Sequence, residues 1–117
     1  MATTEQEILA HLRRREAERQ ARAKERASRL LALMPEARCI LVERHGASRV
    51  VLFGSLANNT PSESCDVDLA VEGLDPGQYF QALADLLHAF MTPVDLVRLE
   101  EASETLLERI RSEGREL

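Results

Sequence analysis

The residues best placed to do chemistry lie in one stretch. The apolar run Arg49-Val50-Val51-Leu52-Phe53 leads straight into Gly54-Ser55, and after ten further residues comes Asp66-Val67-Asp68. Gly54 allows the backbone to turn sharply and approach an anion, while Ser55 and the amides after it open a helical turn whose unpaired N–H groups attract phosphate. Asp66 and Asp68 are two apart at the head of an alternating segment. Both carboxylates therefore leave the same side of a strand, near enough to share divalent cations. A third acid, Asp95, stands between Val94 and Leu96 in another apolar alternation expected to neighbour the first two strands. Three carboxylates beside a phosphate-binding turn describe a two-magnesium site for phosphoryl or nucleotidyl transfer. Two like charges about 4 Å apart repel by roughly 4 kcal/mol at an effective dielectric near 20. No Lys or Arg adjoins Asp66, Asp68 or Asp95 in the chain, so Mg2+ is the simplest neutraliser. A plain turn with solvated acids would account for Asp66 alone. It accounts less well for Asp68 and Asp95, each set within an apolar alternation.

The elements that must position these groups follow from pattern and punctuation. Glu5 to Met34 contains neither Gly nor Pro and is dominated by Ala, Arg, Glu, Leu and Gln, which predicts one long helix closed by Pro35. At 1.5 Å per residue it would reach roughly 45 Å, so part of it must project from so small a domain. Ile8, Leu9 and Leu12 form one apolar patch and Leu30, Leu31, Leu33 and Met34 another. Between them Arg15, Arg19, Arg22 and Arg26 take the places that would continue the stripe, leaving mid-helix without an apolar face. Ala37, Ile40 and Leu41 predict a second helix from Pro35 to His45-Gly46. Arg49 to Phe53 reads as a buried strand. A break at Asn58 to Ser62 precedes a second strand, in which Val67, Leu69 and Val71 alternate with Asp66, Asp68 and Ala70. Asp75-Pro76 opens a core helix running to Met91, Val94 to Leu99 gives a third strand, and Leu106, Leu107 and Ile110 mark a last helix stopping at Gly114. The expected fold is an α/β (α+β) unit. It has a small three-stranded mixed sheet with helices packed on it over residues 36–117, preceded by a long basic N-terminal helix over residues 1–35.

The segment GSLANNTPSESCDVD, with the third acid in PVDLV and the closing pattern LLERIRSEG, resembles the minimal nucleotidyltransferases of the DNA polymerase β superfamily. Their signature is Gly-Ser, ten residues, then Asp-x-Asp, and the resemblance spans about residues 36 to 117. It implies that Gly54 and Ser55 hold the nucleotide triphosphate and that Asp66 and Asp68 ligate two Mg2+ ions. It also implies that Asp95 ligates one of them and helps activate the attacking hydroxyl. The family includes antitoxins that pair with HEPN-domain ribonuclease toxins and move AMP from ATP to a toxin tyrosine, so a HEPN-type toxin is the partner implied. Many relatives carry an arginine and a glycine shortly after Gly-Ser, where this chain has Leu56-Ala57-Asn58-Asn59. Two other readings stay open: a binding module that neutralises its partner by docking alone, and a small-molecule nucleotidyltransferase working as a homodimer. The protein acceptor is preferred because the chain is too short for a second domain that would hold a small acceptor.

Composition narrows the field further. With 117 residues, 44% hydrophobic and 30% charged, the chain has the make-up of one globular domain. It has no run of eighteen apolar residues, and its first fifteen residues hold Glu5, Glu7 and three consecutive arginines where a secretory signal needs an apolar core. The expectation is a cytoplasmic protein without a membrane segment. Cys39 and Cys65 lack the spacing for a disulfide framework or a zinc site, and Cys65 is expected to be a buried thiol. Aromatics are limited to Tyr79 and three phenylalanines, and the net charge is −5, which argues against a platform for single-stranded nucleic acid. Eight basic residues against three acidic ones fall between Ala10 and Leu30. That basic helix is read either as a solvated face or as a surface docking a partner or a second copy of the chain, with Ile8, Leu9 and Leu12 the evidence for docking. His11, His45 and His88 are scattered and form no cluster with the acids.

Overall fold

The computed structural model describes residues 4–58, 60 and 66–117. Cys65 and most of the break expected between Asn58 and Ser62 lie outside the described residues. The first helix, α1, runs from Glu5 to Ala32. Its exposed start is fixed by reciprocal bonds: the Glu7 N–H donates to the Thr4 hydroxyl at 3.2 Å, and the Thr4 N–H donates to the Glu7 carboxylate at 3.3 Å. The helix ends two residues before the expected Met34, because the Leu33 N–H bonds back to the carbonyls of Leu30 and Leu31 and Pro35 opens the next helix, α2 (Met34–Arg38). The reading of mid-helix as lacking an apolar face needs correcting. Ala23 and Ala27 are buried in line with Leu30 and Met34, so a row of alanines beside the arginines carries the packing. The turns from Thr4 to Arg22 are exposed throughout, with Ile8, Leu9 and Leu12 left 49%, 45% and 53% accessible, and the molecule measures 65 × 29 × 19 Å. The helix does project.

After α2 the chain continues as a π-helical stretch, Cys39–Arg44, and stops at Gly46, whose φ of +76° suits a residue without Cβ. Strand β1 is Arg49–Phe53, as the sequence predicts, and β2 is Val67–Glu72. A 3-10 turn capped by Asp75 leads into α3 (Tyr79–Phe90), which ends at Met91 in the left-handed conformation. Strand β3 is Val94–Arg98 and α4 is Glu104–Glu113. The sheet has four strands, not the three expected. Arg115–Glu116 form β4, too short to show any alternation, and its place is fixed by pairing Glu116 with Val51 and Arg115 with Leu52. The strand order is β3-β2-β1-β4, with β1 antiparallel to both β2 and β4, and β2 parallel to β3.

Each sheet face has its own cover. Val50, Leu52, Val67, Leu69, Val71 and Leu96 join α1, α2, the π-helical stretch and α3 in the main core through Leu30, Met34, Leu41, Ala82 and Leu86. Val51, Phe53 and Ala70 meet Ile110 and Leu106 of α4 on the opposite face. A fully buried side chain of this size contributes about 1.5–3 kcal/mol. Alternation along β2 puts Val67, Leu69 and Val71 into the main core and sends Asp68 and Ala70 to the α4 side. Among the described residues no helix is long and apolar enough to cross a membrane.

Candidate active site

Strand β1 delivers its chain end to the site. Phe53 is the last strand residue, and Gly54 follows with φ +77°. The carbonyl of Gly54 accepts the N–H groups of both Ala57 and Asn58 at 3.1 Å, so residues 54–58 wind into the turn the sequence predicts. Leu56 and Ala57 are buried and anchor it, and Ser55 is half-buried. The Thr60 N–H reaches back to the Ser55 carbonyl at 3.1 Å.

Strand register brings the acids to that turn. Asp68 is paired with Phe53 on one side and with Asp95 on the other. Residues paired across neighbouring strands share a face, so the carboxyls of Asp68 and Asp95 stand side by side. Asp66 is exposed just before β2, and the Val67 N–H donates to the Pro93 carbonyl at 3.3 Å, tying the heads of β2 and β3 together. The Asp68 carboxylate lies against the α-carbon of Gly54: a Cβ at that position would run into it. Glycine is thus required twice, by its backbone angle and by its neighbour. Of the five residues predicted for the site, the structure gathers Gly54, Asp68 and Asp95 directly. Ser55 and Asp66 adjoin them in the chain.

The electrostatics match this grouping. Burial pushes the Asp68 carboxyl above its usual range, and the charges of Asp95 and then Asp66 push it further, while Arg109 of α4 draws it back. Burial also raises the Tyr79 phenol, reinforced by Asp95 and Glu101, and its O–H donates to the Leu96 carbonyl at 2.6 Å on the edge strand beside Asp95. Among the described residues no three His, Cys, Asp or Glu side chains are drawn together closely enough to enclose an ion by themselves. The donor set nevertheless suits Mg2+, a hard cation that takes one or two carboxylates and completes its shell with water and substrate phosphate. Mutual repulsion at Asp68, and a glycine cradle alongside it, fit the same group. Asp66, Asp68 and Asp95 are the residues that would hold it.

Arg109 is a charge beside the acid-bearing face that the reading of the sequence did not single out. Its only signal is position, one residue before Ile110 on an amphipathic helix that crosses the acid-bearing face. The histidines stay away from the acids, as expected, although His45 has a role of its own. Its ring is bonded to Gln78 at 2.9 Å and to Asp85 at 2.7 Å, joining the end of the π-helical stretch to α3.

A mixed sheet with this order, a Gly-Ser turn closing β1 and acids on the heads of β2 and β3 makes the molecule a nucleotidyltransferase in fold. Residues 37–117 match the family described as Polymerase beta, Nucleotidyltransferase, and the chain belongs to that family. Among solved structures it is similar to a protein assigned as a minimal nucleotidyltransferase, with 29% identity, TM-score 0.63, and 75% of this chain and 95% of the other covered. It is also similar to a chain of a mutant toxin-antitoxin complex, MntA-HpeT, with 26% identity, TM-score 0.63, and 72% and 70% covered. A toxin-antitoxin structure with AMP-PNP gives 27% identity, TM-score 0.60, and 69% of each chain covered. No match is found among curated proteins.

Proposed function

We propose that this chain is a Mg2+-dependent adenylyltransferase that moves AMP from ATP to a hydroxyl, the tyrosine of a HEPN-type toxin, and so acts as that toxin's antitoxin. The observation that carries this reading is the register pairing Asp68 with Asp95 beside Gly54. Likeness to toxin-antitoxin chains, one of them with AMP-PNP, supports the partner and the nucleotide. Gly54 and Ser55 bind the triphosphate at the head of their turn, where backbone N–H groups face an anion. Asp66, Asp68 and Asp95 hold Mg2+, which when bound neutralises charge on the phosphates and orients the reacting oxygens. Asp95, on the exposed edge strand, accepts the proton of the incoming hydroxyl. That oxygen bonds to the α-phosphorus, the bond from the α-phosphorus to the β-phosphate oxygen breaks, and pyrophosphate leaves. Residues 36–117 are the catalytic core in this proposal, and the exposed part of the 1–35 segment is an arm that docks the toxin or a second copy. The activity belongs in the cytoplasm, where ATP and Mg2+ are at hand.

Intact-mass spectrometry of the candidate toxin after incubation with the chain, ATP and Mg2+ tests this. An added mass of one or more AMP units is expected, and Asp95→Asn should stop it while leaving complex formation intact. One observation favours a docking-only antitoxin: among the described residues the turn after Gly54 carries no cation. Neutralisation by wild type and Asp95→Asn alike, with no mass added, would establish that alternative.

A further inference from the structure

We propose that Arg109 binds the triphosphate of the nucleotide, supplying from the C-terminal helix the positive charge that the turn after Gly54 lacks. The inference rests on the nucleotide reading of the site and goes beyond it by naming the residue that distinguishes ATP from AMP. A triphosphate brings several negative charges to a place already occupied by Asp66, Asp68 and Asp95, so a nearby cation is needed as well as metal. The described part of the turn offers none: Leu56 and Ala57 are buried, Asn58 is neutral, and the amides of Ala57 and Asn58 are already committed to the Gly54 carbonyl.

Helix α4 is built to present a cation there. Ser103 caps it by accepting the Leu106 N–H at 3.2 Å, and Leu106 and Ile110 seat it on Val51, Phe53 and Ala70. Phe53 immediately precedes Gly54 and is the strand partner of Asp68; Ala70 shares the Asp68 face. Arg109 flanks Ile110 in the last turns of this helix, just before the chain passes Gly114 against Val51 and pairs Arg115 with Leu52, at the end of β1 that leads into Gly54. In this structure its Nε donates to Glu113 Oε2 at 3.3 Å, with the two side chains 55% and 39% accessible. Such an exposed pair one helical turn apart contributes little to stability. Exchanging that single carboxylate contact for phosphate oxygens is favourable, because the guanidinium fork binds phosphate in two-pronged fashion.

The test is calorimetric titration of ATP and of AMP, each with Mg2+, into the full chain and the variants Arg109→Gln, Arg109→Lys and Glu113→Gln. A lost charge-assisted contact should weaken ATP binding by about tenfold or more in Arg109→Gln. AMP affinity should stay at the wild-type value, Arg109→Lys should fall between, and Glu113→Gln should bind ATP more tightly by freeing the guanidinium. Melting curves verify that each variant is folded. A folded Arg109→Gln that binds ATP as wild type does, or that loses ATP and AMP equally, overturns the proposal and leaves the nucleotide reading standing. Wild type that binds neither nucleotide overturns both.

Discussion

Replacing Asp68 by Asn should stabilise the metal-free protein and abolish the gain from Mg2+ expected of the proposed site. Asp68 and Asp95 are paired on adjacent parallel strands, with Asp66 two residues upstream. Neighbouring strands are about 4.8 Å apart, so like charges there repel by about 3 kcal/mol at an effective dielectric near 20. Asp95 and Asp66 are exposed, and solvent screening together with Arg109 reduces the net cost to about 1 kcal/mol. Asparagine keeps the shape of the side chain lying against Gly54 and removes the charge. For a domain of this size the gain corresponds to about 4 °C in melting temperature. Its pH dependence has a definite sign. A carboxyl whose pKa is higher in the folded than in the unfolded chain holds more protons when folded, so wild-type stability falls as pH rises from the ordinary carboxylate range through the raised value. The advantage of Asp68→Asn therefore grows as pH rises through that raised value and shrinks toward pH 4. Melting curves of both proteins from pH 4 to 8, in chelator and then in millimolar Mg2+ with ATP, measure this. A variant no more stable than wild type at pH 7, or an advantage that does not change with pH, would refute the electrostatic account.

Gly54→Ala should cost about 1–3 kcal/mol, since alanine meets both a positive φ and the Asp68 carboxylate. Adding Asp68→Ala should recover part of that loss in denaturant melts. Deleting residues 1–20 should leave stability within about 0.5 kcal/mol of wild type, because the turns from Thr4 to Gln20 are exposed throughout. Extending the deletion to residue 28 removes buried Ala23 and Ala27 and the Arg26 bond to Thr92, and should lower stability by about 1–3 kcal/mol. Leu9→Glu with Leu12→Glu should weaken binding of the proposed toxin partner or self-association in light scattering without moving the melting temperature. Asp85, whose carboxyl is held below the usual range first by its bond to His45 and also by Arg44, adds stability that is present at neutral pH and lost as pH falls through that lowered value. Asp85→Asn should therefore melt lower than wild type at pH 7, with the difference closing in acid.

Strands were readable wherever two independent signals coincided. Arg49–Phe53 is a β-branched run between glycines, and it appears with those bounds. The alternation at Val67–Val71 correctly put Asp68 on the face away from the main core. What stayed hidden was either small or distant. Ala23 and Ala27 look neutral beside a row of arginines, yet their small side chains are what let the helix lie close on the core. Strand β4 has two residues and gains its identity solely from β1. Arg109 is far from the acids in sequence, and only the docking of Leu106 and Ile110 places it near them. The pairing of Asp68 with Asp95 was legible as an expectation from two separate alternations, whereas their exact register needed the fold.

That register also sets when, during folding, the molecule acquires its chemistry. The β1–β2 pair can form early as a local antiparallel unit, and it would bring Asp68 to Gly54. Asp95 arrives only after α3 has crossed over and β3 has joined in parallel, and such non-local pairings are slow because loop closure must precede their reward. A slip of one residue in that last pairing would point Asp95 into the main core and Leu96 into water. A chain stalled before this step has half a site, and a chain that completes it wrongly has none. Completion of the proposed site is thus tied to the latest and most demanding event of assembly, so truncated or misfolded copies lack the paired acids on which the proposed chemistry depends.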